Sequence, residues 1–168
     1  MNFQITDNFL DKESFNKLQN IIFDKEFSWF FRGTNTEIEG GYFTHSFFNN
    51  NAINCKFYYE CMNSIFAKLD PKALIEVRAN LMFSSLFYNK KSKWHIDYDY
   101  GNFTSILYLN TTEGGTEIDD DGTVKLVKAE ANKLLTMKSN VKHRAILSPD
   151  VERRYIINLN YFKDKNNF

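Results

Sequence analysis

Three residue types in one short stretch, Trp94-His95-Ile96-Asp97, set up the most specific chemistry in the chain. In an extended backbone, side chains at i and i+2 project to the same face, so the His95 imidazole and the Asp97 carboxylate can reach a single point. A third donor has to come from elsewhere. Of the three histidines, His143 stands at the head of a β-prone run, His143–Leu147, far downstream of Asp97, and antiparallel β topologies bring such runs back beside one another. Two neutral imidazoles and one carboxylate on one side of a metal leave about three octahedral positions open, the arrangement Fe(II) enzymes use to take a cosubstrate and O2 together. The same donors could hold tetrahedral zinc with one open position, which would favour hydrolysis.

Downstream of His143 an arginine, Arg154, opens the alternating run Arg154-Tyr155-Ile-Ile-Asn-Leu-Asn-Tyr-Phe162. A guanidinium presents a planar fork that matches a carboxylate bidentately, so one arginine at the bottom of an apolar barrel could hold a dicarboxylate by its far end. Arg153 competes for this role. The alternation Arg154, Ile156, Asn158, Asn160 puts the two arginines on opposite faces, and the register favours Arg154.

From Ala79 to Phe162, about half the chain, this pattern resembles the prolyl-4-hydroxylase-like branch of the 2-oxoglutarate/Fe(II)-dependent dioxygenase superfamily. The signature there is His-x-Asp, a distant His, and an Arg or Lys about ten residues on, often as Arg-Tyr entering an apolar strand. Leu107-Tyr108-Leu109-Asn110 is similar to the family's Tyr-Leu-Asn strand end, and Gly114-Gly115-Thr116-Glu117 to its Gly-Gly segment. The resemblance implies a double-stranded β-helix, a jelly roll of the cupin kind. It also implies Fe(II) on His95, Asp97 and His143, and 2-oxoglutarate with its distal carboxylate on Arg154 and Tyr108. Tyr88 matches a second tyrosine facing the cosubstrate. The implied reaction couples oxidative decarboxylation of 2-oxoglutarate, with O2, to hydroxylation of a C–H bond, and ascorbate would serve as reductant. The implied substrate is a prolyl or other residue of a protein or peptide; a small molecule such as a free amino acid is the alternative. Asn160 stands six after Arg154, where nucleic-acid-demethylating relatives carry another arginine, so nucleic acid loses support as a substrate.

Other chemistry-bearing residues read as structural. Asp99 and Asp119-Asp120-Asp121 fall in turn-forming surroundings and are expected to be solvated. His45 has no partner at ligand spacing. Cys55 and Cys61 lie six apart, which fits neither CxxC metal spacing nor a disulfide framework, so both are expected as reduced, buried thiols. Trp94 reads as a packing residue beside His95.

The elements that must position these residues follow from periodicity. Phe15, Leu18 and Ile22 at helical spacing after Asp11, a good N-cap, predict a helix over Asp11–Phe23. Tyr58, Cys61, Met62, Ile65, Phe66 and Leu69 predict a second helix within Ile53–Leu69, stopped by Asp70-Pro71. Beyond Pro71 the period becomes two, with Ile75, Val77, Ala79, Leu81 and Phe83 on one face. Further β-prone runs follow at Thr104–Leu109, Val124–Val127, Leu134–Met137, Val141–Leu147 and Tyr155–Phe162. The expectation is a mainly β fold with flanking helices, a helical support over about 1–70 bracing a jelly-roll core over about 74–162 in one domain spanning 1–168. Trp29–Asn51, rich in Gly, Asn and aromatics without clear period, is expected as a ragged hairpin or a flap over the substrate.

Composition sets the outer bounds. At 168 residues with 43% hydrophobic content the chain can bury a core of its own. Equal numbers of basic and acidic residues, 21 each, give no global field toward nucleic acid or an anionic membrane. No apolar leader opens the sequence and no run reaches the ~20 residues of a membrane helix, so a soluble cytoplasmic protein is expected. Because fold alone never fixes function, a non-catalytic binding module on the same scaffold stands beside the oxygenase and zinc hydrolase readings.

Overall fold

The computed structural model describes residues 2–33, 41–84 and 90–164. In chain order the elements are β1 Phe3–Thr6, α1 Lys12–Ile22, β2 Phe30–Arg32, β3 Tyr42–Asn49, β4 Ala52–Ile53, α2 Tyr58–Leu69, β5 Ala73–Phe83, β6 Lys90–Lys91, β7 Phe103–Tyr108, β8 Gly115–Asp120, β9 Thr123–Lys128, β10 Leu134–Lys138, β11 His143–Leu147 and β12 Arg153–Phe162. A major sheet runs β1-β10-β7-β12-β5-β3-β2, with β4 paired to β3, and a minor sheet runs β6-β11-β8-β9. Every named pair is antiparallel. The result is the jelly-roll arrangement of a large and a small sheet face to face, with two helices outside the large one.

Strand alternation separates the layers. On β12 the odd residues Ile157, Leu159 and Tyr161 join Val77, Ala79, Leu107 and Leu109 beneath the helices, where Leu18, Ile22, Met62 and Ile65 complete a fully apolar core. The even residues face the minor sheet. There Ile156, Met82, Ile106 and Tyr108 meet Ile118, Val127 and Leu147 in a second core. Period two therefore makes β12 serve two cores at once, and every inward residue is either core or site.

The helices form where periodicity placed them. Asp11 caps α1 by accepting from the Ser14 amide at 2.9 Å, which satisfies one of the orphan donors of the first turn. The second helix is shorter at its start than expected. It ends as Asp70 enters the left-handed region at φ 50°, immediately before Pro71. Asn132, itself at φ 66°, ties the N-terminal arm to the sheet: Leu10 N donates to its side chain at 2.9 Å and its amide donates to Leu10 O at 2.8 Å.

Two expectations need correction. Of the two alternatives for Trp29–Asn51 the hairpin holds, β2 pairing antiparallel with β3, and the flap needs correction, because β3 is an interior strand between β2 and β5, with Phe47 fully buried and His45 packed inward. Its aromatics looked aperiodic because a register shift between Ser46 and Phe48 interrupts the alternation. Of the expected cover, residues 34–40 lie outside the described residues; Phe30 and Phe31 are solvent-exposed. The acidic turn is also not wholly solvated. Asp120 is buried at the end of β8, where it accepts from the Asn2 amide and pairs with Lys125, while Asp121 and Gly122 take positive φ to turn the β8–β9 hairpin.

Candidate active site

The minor sheet carries one half of the site. His143 opens β11, and His95 lies opposite it in a single bridge: His95 N donates to His143 O at 3.1 Å and His143 N to His95 O at 2.9 Å. The chain around His95 is extended but is not a full strand, and Asp97 follows in a bend held by its amide to Ser139 O at 3.0 Å. The i, i+2 geometry survives in this shorter form. The donor atoms of His95, Asp97 and His143 all lie within 4.8 Å of one another. From Asp97 Oδ1 the distances are 3.7 Å to His95 Nε2 and 3.8 Å to His143 Nε2.

Backbone carbonyls decide which nitrogen of each ring is available. His95 Nδ1 faces Lys93 O at 3.2 Å and His143 Nδ1 faces Val141 O at 3.0 Å. A carbonyl can only accept, so each Nδ1 carries the proton and each Nε2 turns a lone pair toward Asp97, as metal-binding imidazoles require. Asp97 is held from behind. Thr104 Oγ1 donates to Oδ2 at 3.0 Å and Asn158 Nδ2 contacts the same oxygen at 3.4 Å, leaving Oδ1 on the histidine side. Burial pushes the Asp97 carboxyl up, but His143, Arg78 and His95 outweigh it and hold the group below its ordinary range, so it stays an anion.

At the other end of the same cavity lies Arg154, 1% exposed, on the inner face of β12. Its Nη2 donates to Thr116 Oγ1 at 3.0 Å and its guanidinium stacks 5.4 Å from the Tyr108 ring. Nε and Nη1 are buried with no acceptor among the described residues. Burial pulls the guanidinium down from its ordinary value, but arginine remains charged over any working pH. A buried cation with two unpaired donors is costly unless a ligand supplies acceptors, and a carboxylate is the group whose two oxygens match that fork. Arg153, by contrast, is exposed on the opposite face, against Phe83.

Tyr108 and Thr116 complete this floor. The Tyr108 hydroxyl donates to Thr116 Oγ1 at 2.8 Å, so Thr116 accepts from both Tyr108 and Arg154. With both lone pairs taken, its own hydrogen is left to donate into the cavity. Sequence reasoning gave Thr116 no role although it stands in the Gly-Gly-Thr-Glu segment. The signal was its inward parity on β8, which becomes visible once the strand is known to start at Gly115. Tyr88 lies outside the described residues. Trp94 is half-exposed and stacks on the Arg144 guanidinium at 4.4 Å, outside the cavity. His45 faces the helices rather than the site, with Nδ1 2.6 Å from Ser28 O.

The cavity is thus a trough between the sheets, with His95 and His143 at one end, Arg154 and Thr116 at the other, and Ile106, Ile156 and Ala145 between. A larger open groove of about 850 Å³ runs along α1, but its lining of Lys, Glu and Asn brings no titratable groups to one point.

No family model matches the sequence, and no curated protein does. Solved structures do match the fold. A prolyl-4-hydroxylase from Pseudomonas putida is 17% identical, with 96% of this chain and 93% of that one covered at a TM-score of 0.64. A prolyl hydroxylase from Trichoplax adhaerens, solved with a hypoxia-inducible-factor peptide fragment, is 16% identical over 98% and 84%, at 0.72. The epimerase SnoN, solved with Fe3+, alpha-ketoglutarate and nogalamycin RO, is 11% identical over 96% and 79%, at 0.70. The chain therefore shares the jelly-roll fold of these enzymes.

Proposed function

We propose that this protein is a non-haem Fe(II)- and 2-oxoglutarate-dependent oxygenase that hydroxylates a C–H bond. The observation that carries the reading is Arg154: a buried guanidinium with two unpaired donors faces the same cavity as the clustered Nε2 and carboxylate donors of His95, Asp97 and His143. Either feature alone has bland explanations, but together they fit a metal and a dicarboxylate side by side.

The donor set suits Fe(II), since two neutral imidazoles and a carboxylate leave open positions on one side. When bound, iron and 2-oxoglutarate would, with O2 as oxidant, supply the oxidative decarboxylation that drives hydroxylation, one oxygen atom going to succinate and the other to the product, with CO2 released; ascorbate would keep the metal reduced. The residues of the chain supply position and dryness. Lys93 O and Val141 O fix the ring tautomers, and Thr104 and Asn158 orient Asp97. Arg154 and Thr116 would hold the distal carboxylate of the cosubstrate, and Tyr108, by donating to Thr116 Oγ1, turns the Thr116 hydroxyl hydrogen toward it. Ile106 and Ile156 line the space between and exclude water from it. The substrate class we favour is a prolyl or other residue of a protein or peptide, in line with the peptide-bound neighbour, with a small molecule as the alternative.

The test is anaerobic addition of Fe(II) and 2-oxoglutarate to the metal-free protein, watching for the weak visible charge-transfer band of a keto acid chelated to ferrous iron. We expect a band in the wild type, none in Asp97→Ala, and a much larger cosubstrate requirement in Arg154→Ala. A wild type without a band would overturn the reading.

A further inference from the structure

The cavity contains a second unsatisfied arginine that the cosubstrate floor does not use. Arg78 lies on the inner face of β5, two residues from Glu76, and lines the cavity together with His95, His143 and Asn80. Its Nη1 donates to Glu76 Oε2 at 2.9 Å, and Glu76 is buried. Its Nε is buried with no acceptor among the described residues. Burial pulls the guanidinium down, but Glu76, Tyr42 and Asp97 outweigh this and keep it charged.

A pair serving only the fold would be expected to use its buried donors, because a donor taken from water without a partner loses its hydration with nothing in return. Glu76 takes Nη1 and leaves the buried Nε unused, on a side chain that lines the cavity. Register places this side chain near the metal donors. Arg78 is directly opposite Asn158, whose side-chain amide reaches Asp97, whereas Arg154 is opposite Met82. Four residues of strand separate the two rows, about 13 Å at the usual rise, so the two arginines enter the cavity from well-separated backbone positions.

The surroundings of Arg78 look outward as well as inward. Tyr98 stands within electrostatic reach of Glu76 and Arg78. From Tyr98 an aromatic ledge runs to the surface, with Tyr98 and Tyr100 ring centres 5.2 Å apart and Tyr100 stacked on Phe162 at 6.1 Å. Tyr100 and Phe162 are exposed. A charged anchor inside and an apolar ledge outside suit a molecule with an anionic end and an apolar body.

We propose that Arg78 is the anchor for a carboxylate on the substrate to be oxidised, held against its Nε edge while Glu76 grips the other edge. The proposal rests on the oxygenase reading and names the substrate class for that site: a compound with a carboxylate close to the carbon oxidised. That carboxylate can come from a free amino acid or from an acidic or C-terminal residue of a peptide, and neither the cosubstrate nor the metal supplies it.

The experiment uses matched probes: free L-amino acids against their carboxamides, and short proline-containing peptides with a free acidic or C-terminal carboxylate against their amidated forms. Each is tested for stimulation of 2-oxoglutarate turnover, for a shift of the anaerobic charge-transfer band, and by calorimetry for binding to the metal-free protein. We expect a carboxylate to be preferred over its carboxamide by at least about tenfold, with the free-acid or the peptide arm showing which source is used. In Arg78→Gln the concentration of that probe for half-maximal response should rise at least about tenfold, while the 2-oxoglutarate requirement moves by less than about threefold. Arg78→Lys should recover part of the loss. Because Arg78→Gln strands the buried Glu76, the pair variant Glu76→Gln/Arg78→Gln is measured alongside it and should show the same loss of carboxylate preference. A wild type that forms the band yet prefers no carboxylate over its carboxamide overturns the role of Arg78 and leaves the oxygenase reading intact. A wild type with no band removes the oxygenase reading, and this proposal with it.

Discussion

Replacing Arg154 with methionine should make the metal-free protein more stable while removing its hold on the cosubstrate. Arg154 is 1% exposed, and two of its donors, Nε and Nη1, have no acceptor among the described residues. Each stranded donor costs about 1–3 kcal/mol, so relieving both is worth about 2–6 kcal/mol. Against this stand the lost bond to Thr116, about 1 kcal/mol, and the lost stacking on Tyr108, about 1–2 kcal/mol when desolvated. Methionine keeps much of the volume, so the middle of these ranges nets a gain of about 1–2 kcal/mol. For a chain of this size each 1 kcal/mol moves Tm by about 2–4 °C, giving a rise of about 2–8 °C without ligand. With cosubstrate the sign reverses. Two charge-assisted hydrogen bonds at about 1.5–3 kcal/mol each amount to about 3–6 kcal/mol, or roughly a hundred-fold to ten-thousand-fold in affinity. The assay is thermal unfolding with and without Fe(II) and 2-oxoglutarate under anaerobic conditions. The wild type should gain Tm on adding the cosubstrate and Arg154→Met should not. An Arg154→Met protein stabilised by 2-oxoglutarate as much as the wild type would refute the assignment of the orphaned donors to the cosubstrate.

Thr116→Val removes the oxygen that accepts from both Arg154 and Tyr108, so it should weaken 2-oxoglutarate binding by roughly ten-fold or more and destabilise the fold by about 1–3 kcal/mol, read by the charge-transfer titration and by urea unfolding. Gly115→Ala places a Cβ 2.1 Å from Val127 O on the neighbouring strand, and we expect a loss of about 1–3 kcal/mol or more in the same unfolding assay. Asn132→Ala breaks both hydrogen bonds to Leu10 and puts alanine at positive φ, with an expected cost of about 2–4 kcal/mol and earlier proteolysis of the N-terminal arm. Burial pushes the Cys61 thiol up to about 12, so it should resist alkylation at pH 8 in the folded protein and react once the chain is unfolded in urea. The same shift fixes a sign for stability. The folded pKa lies above the unfolded value of 9.0, so this contribution is complete below about pH 9 and is lost as pH rises toward 12; denaturant titrations across that window should show stability falling.

What could be read in the linear chain was what depends on near neighbours. Period 3.6 around Phe15, Leu18 and Ile22 and period two through β5 and β12 name their own elements, because the buried face repeats within a few residues. The His95-x-Asp97 spacing and the parity of Arg154 against Arg153 are local in the same sense. β8 was hidden because its six residues, Gly115–Asp120, carry Gly, Thr and three acids, a turn-like composition that pairing with β9 and β11 overrides. β3 was hidden by its register shift, and its burial comes from β5 and the helices rather than from its own pattern.

By itself, then, the sequence determined the mainly β class and the two helices, and it singled out His95, Asp97, His143 and Arg154, which the fold brings to one cavity or its edge. Tertiary structure alone decided what depends on groups far apart in the chain. The carbonyls of Lys93 and Val141 select the histidine tautomers, and Thr104 and Asn158 select which Asp97 oxygen faces them. Thr116 joins Tyr108 to Arg154, and Arg78 reaches the metal end of the cavity beside Asn158. The physical reason is that one-dimensional pattern records which face a side chain points to, whereas hydrogen-bond satisfaction depends on what the opposite strand brings to that face.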